Sequence, residues 1–320
     1  MTVANVTTVS GFFLLGFSDN RELQILHASL FLMVYLLGLV GNFIIITITT
    51  LDSQLRSPMY YFLKNLSLLD LSSLSVTVPQ SIHNSLTGSE YISYVHCVLQ
   101  VFFFISFGGS EVAILTVMSY DRYVAICLPL HYEVIMNPRM CRWAVTAVWI
   151  SGGIPGSLYA ATTFSIRFCR AKIIHQFFCD VPQLLKLSCS NDYLVVVGVA
   201  ALMAMVGTAC FTAICLSYVR IFSTVLRMPS AGRSKVFSTC LLHLCVVTFY
   251  VSTSVFAYLK PTSDSMTALD IMLSIFYTVL PPVFNPVIHS LRNEAMKTAA
   301  RKLLLSHRFP GRKLVLSCCS

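Results

Sequence analysis

The sequence predicts an all-α membrane protein, a seven-transmembrane helix bundle with its N-terminus outside the membrane. Charged residues make up only 11% of the 320 residues and apolar residues 56%, whereas a soluble domain carries about a quarter charged residues. Seven apolar stretches have the length of about 20 residues that a spanning helix needs. The lysine and arginine residues are concentrated at one set of span ends, which fixes the orientation.

The seven predicted spans are joined by short polar links, except for one long loop between the fourth and the fifth. No internal repeat is apparent, although paired inverted repeats are common in transporters. Because the number of spans is odd, the two termini are expected on opposite sides. The predicted spans are approximately Leu23–Thr50, Pro58–Ile82, Val98–Cys127, Met140–Phe164, Tyr193–Leu226, Val236–Leu259 and Met266–Leu291.

Basic residues near the span ends predict the orientation, since cytoplasmic loops carry an excess of Lys and Arg. With the N-terminus outside, six of the 22 Lys and Arg residues face outward and sixteen face inward. The N-terminus is therefore expected outside and the C-terminus inside. The net charge of +9 is explained by this inner excess and requires no nucleic-acid partner.

Three regions follow from this topology. Met1 to Phe17 lacks the basic start of a cleaved signal peptide, so the first span is expected to act as an uncleaved signal. Asn5 begins a glycosylation sequon on the predicted outer side. The stretch 292–305 is basic and amphipathic, as expected of a helix lying against inner-leaflet lipids. The predicted regions are an extracellular N-terminus at 1–22, the helix bundle at 23–291, and a cytoplasmic amphipathic helix and tail at 292–320.

The twelve cysteines separate by predicted side. Four of them, Cys97, Cys169, Cys179 and Cys189, fall on the outer, oxidising side, where disulfides persist. A bridge from Cys97 into the long loop would hold that loop over the bundle, but four cysteines allow three pairings. Cys318 and Cys319, in the tail, are candidates for acylation, and free thiols are the alternative.

The run Met118–Cys127 places Asp121 and Arg122 together at the inner end of the third span. Ionised groups at membrane depth are expensive and usually functional. A position near the span end allows partial hydration, so a plain helix-end ion pair, or an arginine reaching the lipid headgroups, is the alternative. The surrounding motifs decide between these interpretations.

Further motifs occur in a fixed order along the chain. They are Gly41-Asn42, Pro58–Leu63 with Asp70, Pro129–Tyr132, Ser217-Tyr218, Lys235–Cys240 with His243, Pro281-Pro282, Asn285-Pro286 and Ser290–Asn293. With these motifs the chain resembles a class A (rhodopsin-like) G-protein-coupled receptor, and within that class an odorant receptor. The resemblance extends over nearly the whole chain and favours a functional switch at Asp121-Arg122.

The resemblance implies a set of switch residues. In such receptors the arginine at the position of Arg122 is held near Asp121 at rest and is released to meet the G protein, and the tyrosine at the Tyr218 position swings inward. A proline inside the seventh span kinks it. The family's usual tyrosine is His289 here, which predicts altered stabilisation of the active state. The implied switch residues are Asp121, Arg122, Tyr123, Tyr218, Asn285, Pro286 and His289.

The resemblance also implies two disulfides on the outer side and a polar site among buried carboxyl groups. It pairs Cys97 with Cys179, which leaves Cys169 with Cys189. Asp70 and Glu111 are carboxyl groups deep in the spans, where an unpaired charge is costly. A bound sodium ion or a shared proton is expected there, with a protonated, hydrogen-bonded pair as the alternative.

The ligand site is expected in the outer half of the bundle, on helix faces that recur every three to four residues. Helix–helix packing is the alternative role for each position. None of the positions is charged, and Phe104 stands where amine receptors carry an aspartate, which favours a small neutral odorant. The candidates are Phe104, Ile105, Gly108, Gly109, Val199, Leu202, Met203, Val206, Gly207, Tyr250, Thr253, Ser254, Ala257, Ile271, Ile275 and Thr278.

The resemblance implies that a stimulatory, olfactory-type G protein is the inner partner, with cyclic AMP as the messenger and the plasma membrane of olfactory cilia as the location. No cofactor is expected. An enzyme would need a converging set of catalytic residues, whereas the eight histidines are scattered along the chain. A transporter or channel is the remaining alternative, and it ranks far behind the receptor.

Overall fold

The computed structural model describes residues 10–14, 20–168, 172–188, 193–227, 230–259, 268–291 and 294–308. Long helices that pack side by side form most of it, and three short strands lie at one end. The helices are α1 Arg21–Leu51, α2 Pro58–Thr87, α3 Tyr94–Cys127, α4 Tyr132–Ile135, α5 Pro138–Phe164, α6 Val181–Lys186, α7 Leu194–Leu226, α8 Ser230–Leu259, α9 Ala268–Thr278, α10 Leu280–Leu291 and α11 Glu294–Arg308. The strands are β1 Gly11–Leu14, β2 Tyr91–Ser93 and β3 Ile173–Ile174.

Local sequence sets several helix ends. The Asn20 side chain accepts a hydrogen bond from the Glu22 backbone N–H at the start of α1, and Asn137 accepts one from Met140 before α5. Such caps satisfy N–H groups that have no partner within the helix. At the end of α2, Gly88 has a φ of 68°, a left-handed conformation that glycine adopts without strain.

Six of the predicted spans coincide with single helices, although several begin or end a few residues away from the predicted bounds. The seventh does not, because Val279 interrupts it between α9 and α10. The prolines at 281 and 282 have no N–H to donate to carbonyls one turn back, which weakens the helix at this point. Pro286, expected to kink this span, lies inside the continuous helix α10.

Close approach of α3 and α5 forms the centre of the bundle. A Cβ added at Gly152 would lie 2.1 Å from the Ser106 carbonyl oxygen, and one at Gly156 would lie 2.1 Å from the Ser106 hydroxyl. The Ser110 hydroxyl donates to the Val148 carbonyl oxygen at 3.1 Å. Small residues at this contact let the two backbones pack closely, as is common between membrane helices.

Buried apolar residues form three clusters. The inner cluster lies at the Asp121 end of the bundle and includes Leu66, Ile114, Met118 and Tyr218. The outer cluster surrounds the strands and includes Phe12, Leu14, Ile92, Cys97, Tyr159, Ile174 and Val196. The lid cluster joins the loop residues Phe177 and Phe178 to Phe31, Leu74, Val78 and Tyr277.

The outside of the bundle exposes many large apolar side chains, most densely along α1 and α7. A soluble protein would bury such a surface, whereas lipid covers it favourably. Within the described ranges, α1, α3 and α7 are long and apolar enough to cross a membrane. The helix expected after the seventh segment is present as α11. Its side chains Met296 and Ala299 are buried against the bundle. Its Lys302 ammonium lies 3.8 Å from the carboxylate of Asp52, which follows α1.

Candidate functional site

At the inner end of the bundle, Asp121 is buried and accepts a hydrogen bond from the Tyr132 hydroxyl at 2.9 Å. Tyr132 belongs to α4, the short helix between α3 and α5. Burial and the nearby Asp121 charge raise the pKa of Tyr132 above its usual range, so the phenol keeps the proton that it donates. The carboxyl group beside Arg122 is thus bound by a residue from the loop, a partner that the sequence pattern did not assign.

Tyr218 is also buried at this end, and its hydroxyl lies 2.5 Å from Nδ1 of His243. The bond joins α7 to α8, and the two rings are 5.7 Å apart. Tyr218 packs in the inner cluster together with Tyr123, which follows Arg122. The predicted switch residues Tyr123 and Tyr218 therefore lie in one cluster, and His243 is an additional member of the group.

In the middle of the bundle, Asn285 links α10 to α2. Its amide Nδ2 donates to the two carboxylate oxygens of Asp70 at 3.0 and 3.2 Å. Nearby, the Asn42 amide donates to the Pro282 carbonyl oxygen at 2.9 Å, in the first turn of α10. Of the predicted switch residues, Asn285 is thus placed beside Asp70, and Pro286 lies next to Gly41 of α1. The His289 side chain lies outside the described part.

Asp70 and Glu111 share this buried polar region, and Ser73 donates to Glu111. Within the described residues, Glu111 Oε1, Asn42 Oδ1 and Asn285 Oδ1 are buried acceptors without a hydrogen-bond partner. Buried oxygens of this kind normally have a donor or a cation. The described residues contain no group of three His, Cys, Asp or Glu side chains with metal-binding geometry, so any cation here would depend on amide oxygens as well.

In the outer half, Phe104 of α3 lies among aromatic rings. Its ring centre is 5.3 Å from that of Phe178 in the long loop and 6.2 Å from that of Tyr277 on α9. A Cβ added at Gly108 would lie 3.2 Å from the Tyr250 hydroxyl. The structure thus brings Phe104, Gly108 and Tyr250 towards one region. Phe178 and Tyr277 also belong to this region, although the helical spacing did not identify them.

Other predicted ligand positions divide into two groups. Ile105, Val199 and Met203 pack against the outer cluster, and Ile275 packs against the lid cluster. Leu202 and Val206 are instead 53% and 57% exposed. Gly109 faces the Gly152 backbone, where a Cβ would lie 3.4 Å away, and a Cβ at Gly207 would meet no atom within 4 Å.

The two threonines among the ligand candidates already donate their hydroxyl protons in hydrogen bonds to backbone carbonyls. Thr253 donates to the Phe249 carbonyl oxygen at 2.8 Å, and Thr278 donates to that of Ser274 at 2.5 Å. Both hydroxyl oxygens keep acceptor capacity for a ligand donor. The side chains of Ser254, Ala257 and Ile271 lie outside the described part of the chain.

The long outer loop is attached to the bundle next to this region. The predicted Cys97–Cys179 disulfide is confirmed, with Cα atoms 5.5 Å apart. Gln100 accepts a hydrogen bond from the Cys179 backbone N–H at 2.8 Å, and Ser274 donates to Gln176 at 2.9 Å. These contacts fasten the segment 176–179, which carries Phe178, to α3 and α9.

Two other predictions concern this loop and the termini. Cys169 and Cys189 lie outside the described residues, but the residues that precede them, Phe168 and Ser188, form an antiparallel bridge. That proximity supports the predicted pairing of the two cysteines, which stays a prediction. Asn5, Cys318 and Cys319 also fall outside the described part of the chain.

Asp180 follows the disulfide and is almost fully buried. Burial removes water from the charged form and raises the pKa of this carboxyl to about 7, although a hydrogen bond from the Val181 backbone partly opposes the shift. A buried acid in the loop that covers the candidate ligand region gives that loop a group that titrates near neutral pH.

Comparisons with known proteins agree on one family. A family model described as olfactory receptor matches residues 31–307. Olfactory receptor 14J1 of Homo sapiens is 61% identical over 315 residues, which cover 98% of each chain. Olfactory receptor 14A2 of Homo sapiens is 51% identical over 303 residues, 94% of this chain and 96% of that protein. The similarity therefore extends over the bundle, the outer loop and the switch residues alike.

Proposed function

Because the chain belongs to the olfactory receptor family of G-protein-coupled receptors, we propose that it detects a small neutral odorant and activates a stimulatory, olfactory-type G protein. The main support for this proposal is that the Phe104 ring packs against the rings of Phe178 and Tyr277. An apolar enclosure with a few hydrogen-bonding groups suits a small uncharged molecule. Cyclic AMP is the proposed messenger, and the plasma membrane of olfactory cilia is the proposed location.

The ligand chemistry follows from the side chains of this region. A charged amine would be desolvated beside Phe104 without a counter-ion, which is unfavourable. A neutral molecule loses little on entry and gains from contact with the rings. Tyr250, Thr253 and Thr278 supply oxygens for one or two hydrogen bonds, and the threonine hydroxyls favour a ligand that donates.

The proposed mechanism is a population shift between two arrangements of the bundle. An odorant that binds the active arrangement more tightly raises its population. The Tyr218–His243 bond joins α7 to α8, so motion of one of these helices relative to the other would break or remake it. Release of Tyr218 beside Arg122 would then present the arginine to the G protein.

Apolar side chains beside this switch support a protein partner at the inner end. Leu130 is 93% exposed and Val134 is 74% exposed, one turn apart on either side of Tyr132. Large apolar residues that protrude next to a functional site are typical of a binding surface. Because Tyr132 also binds Asp121, a partner that grips this loop can act directly on the switch.

The polar centre supports a second part of the proposal, a bound sodium ion or shared proton. Asp70 and Glu111 would hold it with Asn42 and Asn285, whose orphaned oxygens fit a cation or an added proton. The ion would neutralise the buried carboxylates and stabilise one arrangement of α2, α3 and α10.

A cyclic AMP reporter screen of neutral volatiles, with matched charged amines, tests the proposed function. The parent receptor should respond to at least one neutral compound, and Arg122→Ala should abolish that response at equal surface expression. A response confined to charged amines would contradict the ligand chemistry. A neutral response that survives Arg122→Ala would contradict the switch.

A further inference from the structure

The N-terminal strand β1 is the central strand of the outer sheet, whose order is β2-β1-β3. It pairs antiparallel with β2, between α2 and α3, and parallel with β3 in the long outer loop. Strands β2 and β3 are therefore not neighbours. The outer loop is connected to this sheet through β1 and through no other described strand.

The two edges of β1 are unequal. Towards β2, three residue pairs are in register, Gly11 to Phe13 with Ser93 to Tyr91, and the Tyr91 hydroxyl also donates to the Ser10 carbonyl oxygen at 2.9 Å. Towards β3, only two pairs are in register, Phe13 with Ile173 and Leu14 with Ile174. The edge next to the outer loop is thus the weaker of the two.

Side chains alternate across this sheet, as expected for strands with one covered face. Phe12, Leu14 and Ile174 are buried in the outer cluster, whereas Phe13 and Ile173 face outward and are 46% and 39% exposed. The same cluster includes the candidate ligand residues Ile105, Val199 and Met203 as packing neighbours. Movement of β1 therefore reaches the wall of the proposed odorant site.

Glycine at the start of β1 is required by this packing. A Cβ at Gly11 would lie 2.3 Å from the Ile92 carbonyl oxygen and 2.7 Å from the Tyr91 ring. Since a strand backbone cannot yield at this distance, any larger residue would push β1 away from β2. The tight contact makes β1 a fixed part of the outer end of the bundle.

The covalent and hydrogen-bonded attachments of the outer loop to α3 and α9 fall beyond β3, whereas before β3 the Phe168 ring packs against Phe12 of β1 at 5.4 Å between ring centres. The disulfide and the Gln100 bond both hold Cys179, and Ser274 holds Gln176. None of these restrains 172–174, where the Phe13 backbone N–H donates to the Lys172 carbonyl oxygen at 2.7 Å. Separation of β1 from β3 would free this part of the loop while the disulfide stays intact.

We propose that β1 is a strap that closes the outer loop over the odorant site, and that the β1–β3 edge is where the cover opens for ligand exchange. The ligand part rests on the proposed function, whereas the strap itself does not. Because it is formed by only two residue pairs, this edge can open locally without unfolding of the bundle.

Two cysteine cross-links test which edge opens. Phe13→Cys with Ile173→Cys links β1 to β3, and Phe13→Cys with Tyr91→Cys links β1 to β2 as the matched control. Paired residues of neighbouring strands lie about 5 Å apart, which suits a disulfide. All three side chains are outward and partly exposed, so the replacements leave the outer cluster intact.

The first measurement is hydrogen–deuterium exchange of the backbone at 172–187 in the purified receptor without ligand. Oxidation of the β1–β3 variant should slow exchange about fivefold or more, and reduction should restore it, whereas the β1–β2 variant should behave like the parent. Equal slowing by both cross-links, or by neither, overturns the strap.

The second measurement is the dissociation rate of a neutral odorant identified in the reporter screen. The β1–β3 cross-link should slow dissociation, and Phe12→Ala, which removes a buried anchor of β1, should speed it relative to Phe13→Ala. Unchanged dissociation, with exchange slowed as expected, would overturn the role in ligand exchange alone. Absence of any odorant response in the parent receptor would contradict the proposed function and leave the exchange result to decide the strap.

Discussion

At the scale of single residues, the buried carboxyl group of Asp121 has its hydrogen-bond donor on α4, a helix outside the motif that contains Asp121. Its carboxyl oxygen accepts a hydrogen bond from the Tyr132 hydroxyl, with 2.9 Å between the two oxygens. Removing one partner from a buried polar pair leaves the other unsatisfied, which typically costs about 1–3 kcal/mol. The bond therefore ties the loop after α3 to the switch with an energy comparable to a functional transition.

Tyr132→Phe should lower the thermal unfolding midpoint, because it removes this donor and keeps the ring. The matched control is Tyr120→Phe, since Tyr120 is exposed one residue before Asp121. Detergent-solubilised receptors can be compared by a fluorescence thermal shift assay. If both variants unfold at the parent temperature, the bond contributes nothing to stability.

Asp180 gives the outer loop a pH dependence whose sign can be stated. Its pKa is raised from 3.8 to about 7 because it is buried. The native state then holds a proton that the unfolded chain releases, so the free energy of unfolding falls as pH rises from about 4 to 7 and levels off above that. The unfolding midpoint should therefore decrease between pH 5 and pH 7.5.

Asp180→Asn keeps the side chain neutral and should flatten this decrease, so that the variant is more stable than the parent at pH 7.5. Glu90→Gln, at an exposed carboxyl group on the same side of the bundle, serves as the control and should keep the parental slope. A parental slope in Asp180→Asn would show that another group is responsible.

At the scale of elements, the pairing of α3 with α5 depends on the absence of side chains. A Cβ at Gly152 would lie 2.1 Å from the Ser106 carbonyl oxygen and 2.2 Å from the Ser110 hydroxyl. A backbone oxygen at such a distance can be relieved only by separating the helices, and overpacking of this kind typically costs about 1–3 kcal/mol. The next residue, Gly153, has no atom within 4 Å of its Cβ position.

Gly152→Ala should therefore reduce the unfolding midpoint and the surface expression, whereas Gly153→Ala should match or slightly exceed the parent because alanine favours the helix. The two changes are identical in chemistry and adjacent in sequence, so the comparison isolates the helix contact. An unchanged or raised midpoint in both variants would mean that helix propensity, and not the approach of α3, governs this segment.

The helices also show how much of the fold could be predicted from the sequence alone. The apolar stretches predicted six helices with modest errors at their ends, because burial in lipid and internal hydrogen bonding leave a helix as the natural solution. The seventh stretch is divided into two helices by an interruption at Val279 that was not predicted, whereas the kink expected at Pro286 stays a prediction. Pro286 has no N–H for the Pro282 carbonyl oxygen, which accepts from the Asn42 amide instead, so a neighbouring helix satisfies the carbonyl that this proline leaves free.

At the scale of the whole molecule, the missing information concerns contacts between distant segments. Helical spacing placed Phe104 and Ile105 in the outer half, but it could not identify Phe178, which lies in a loop and reaches Phe104 through the fold. The pairing of Tyr218 with His243 and the central position of β1 are tertiary in the same way. Sequence motifs identify candidate functional residues, but the residues that these contact are set by how the helices pack.

The proposed odorant site and the proposed G-protein surface around Leu130 lie at opposite ends of the bundle, so the energetic coupling between them can be measured. If an odorant raises the affinity for the G protein by some factor, the G protein must raise the affinity for the odorant by the same factor. The exposed Leu130 provides a way to weaken only the inner interaction, because its side chain makes little contact with the bundle.

Leu130→Ser should lower odorant-stimulated nucleotide exchange on the G protein about tenfold, as expected when a buried anchor of an interface is removed. It should also abolish most of the G-protein-induced gain in odorant affinity, while odorant binding to the isolated receptor and the unfolding midpoint stay parental. Leu51→Ser, at the exposed inner end of α1, is the matched control. A fall in odorant affinity of the isolated receptor would show instead that Leu130 acts on the bundle itself, and the inner surface would have to be sought elsewhere.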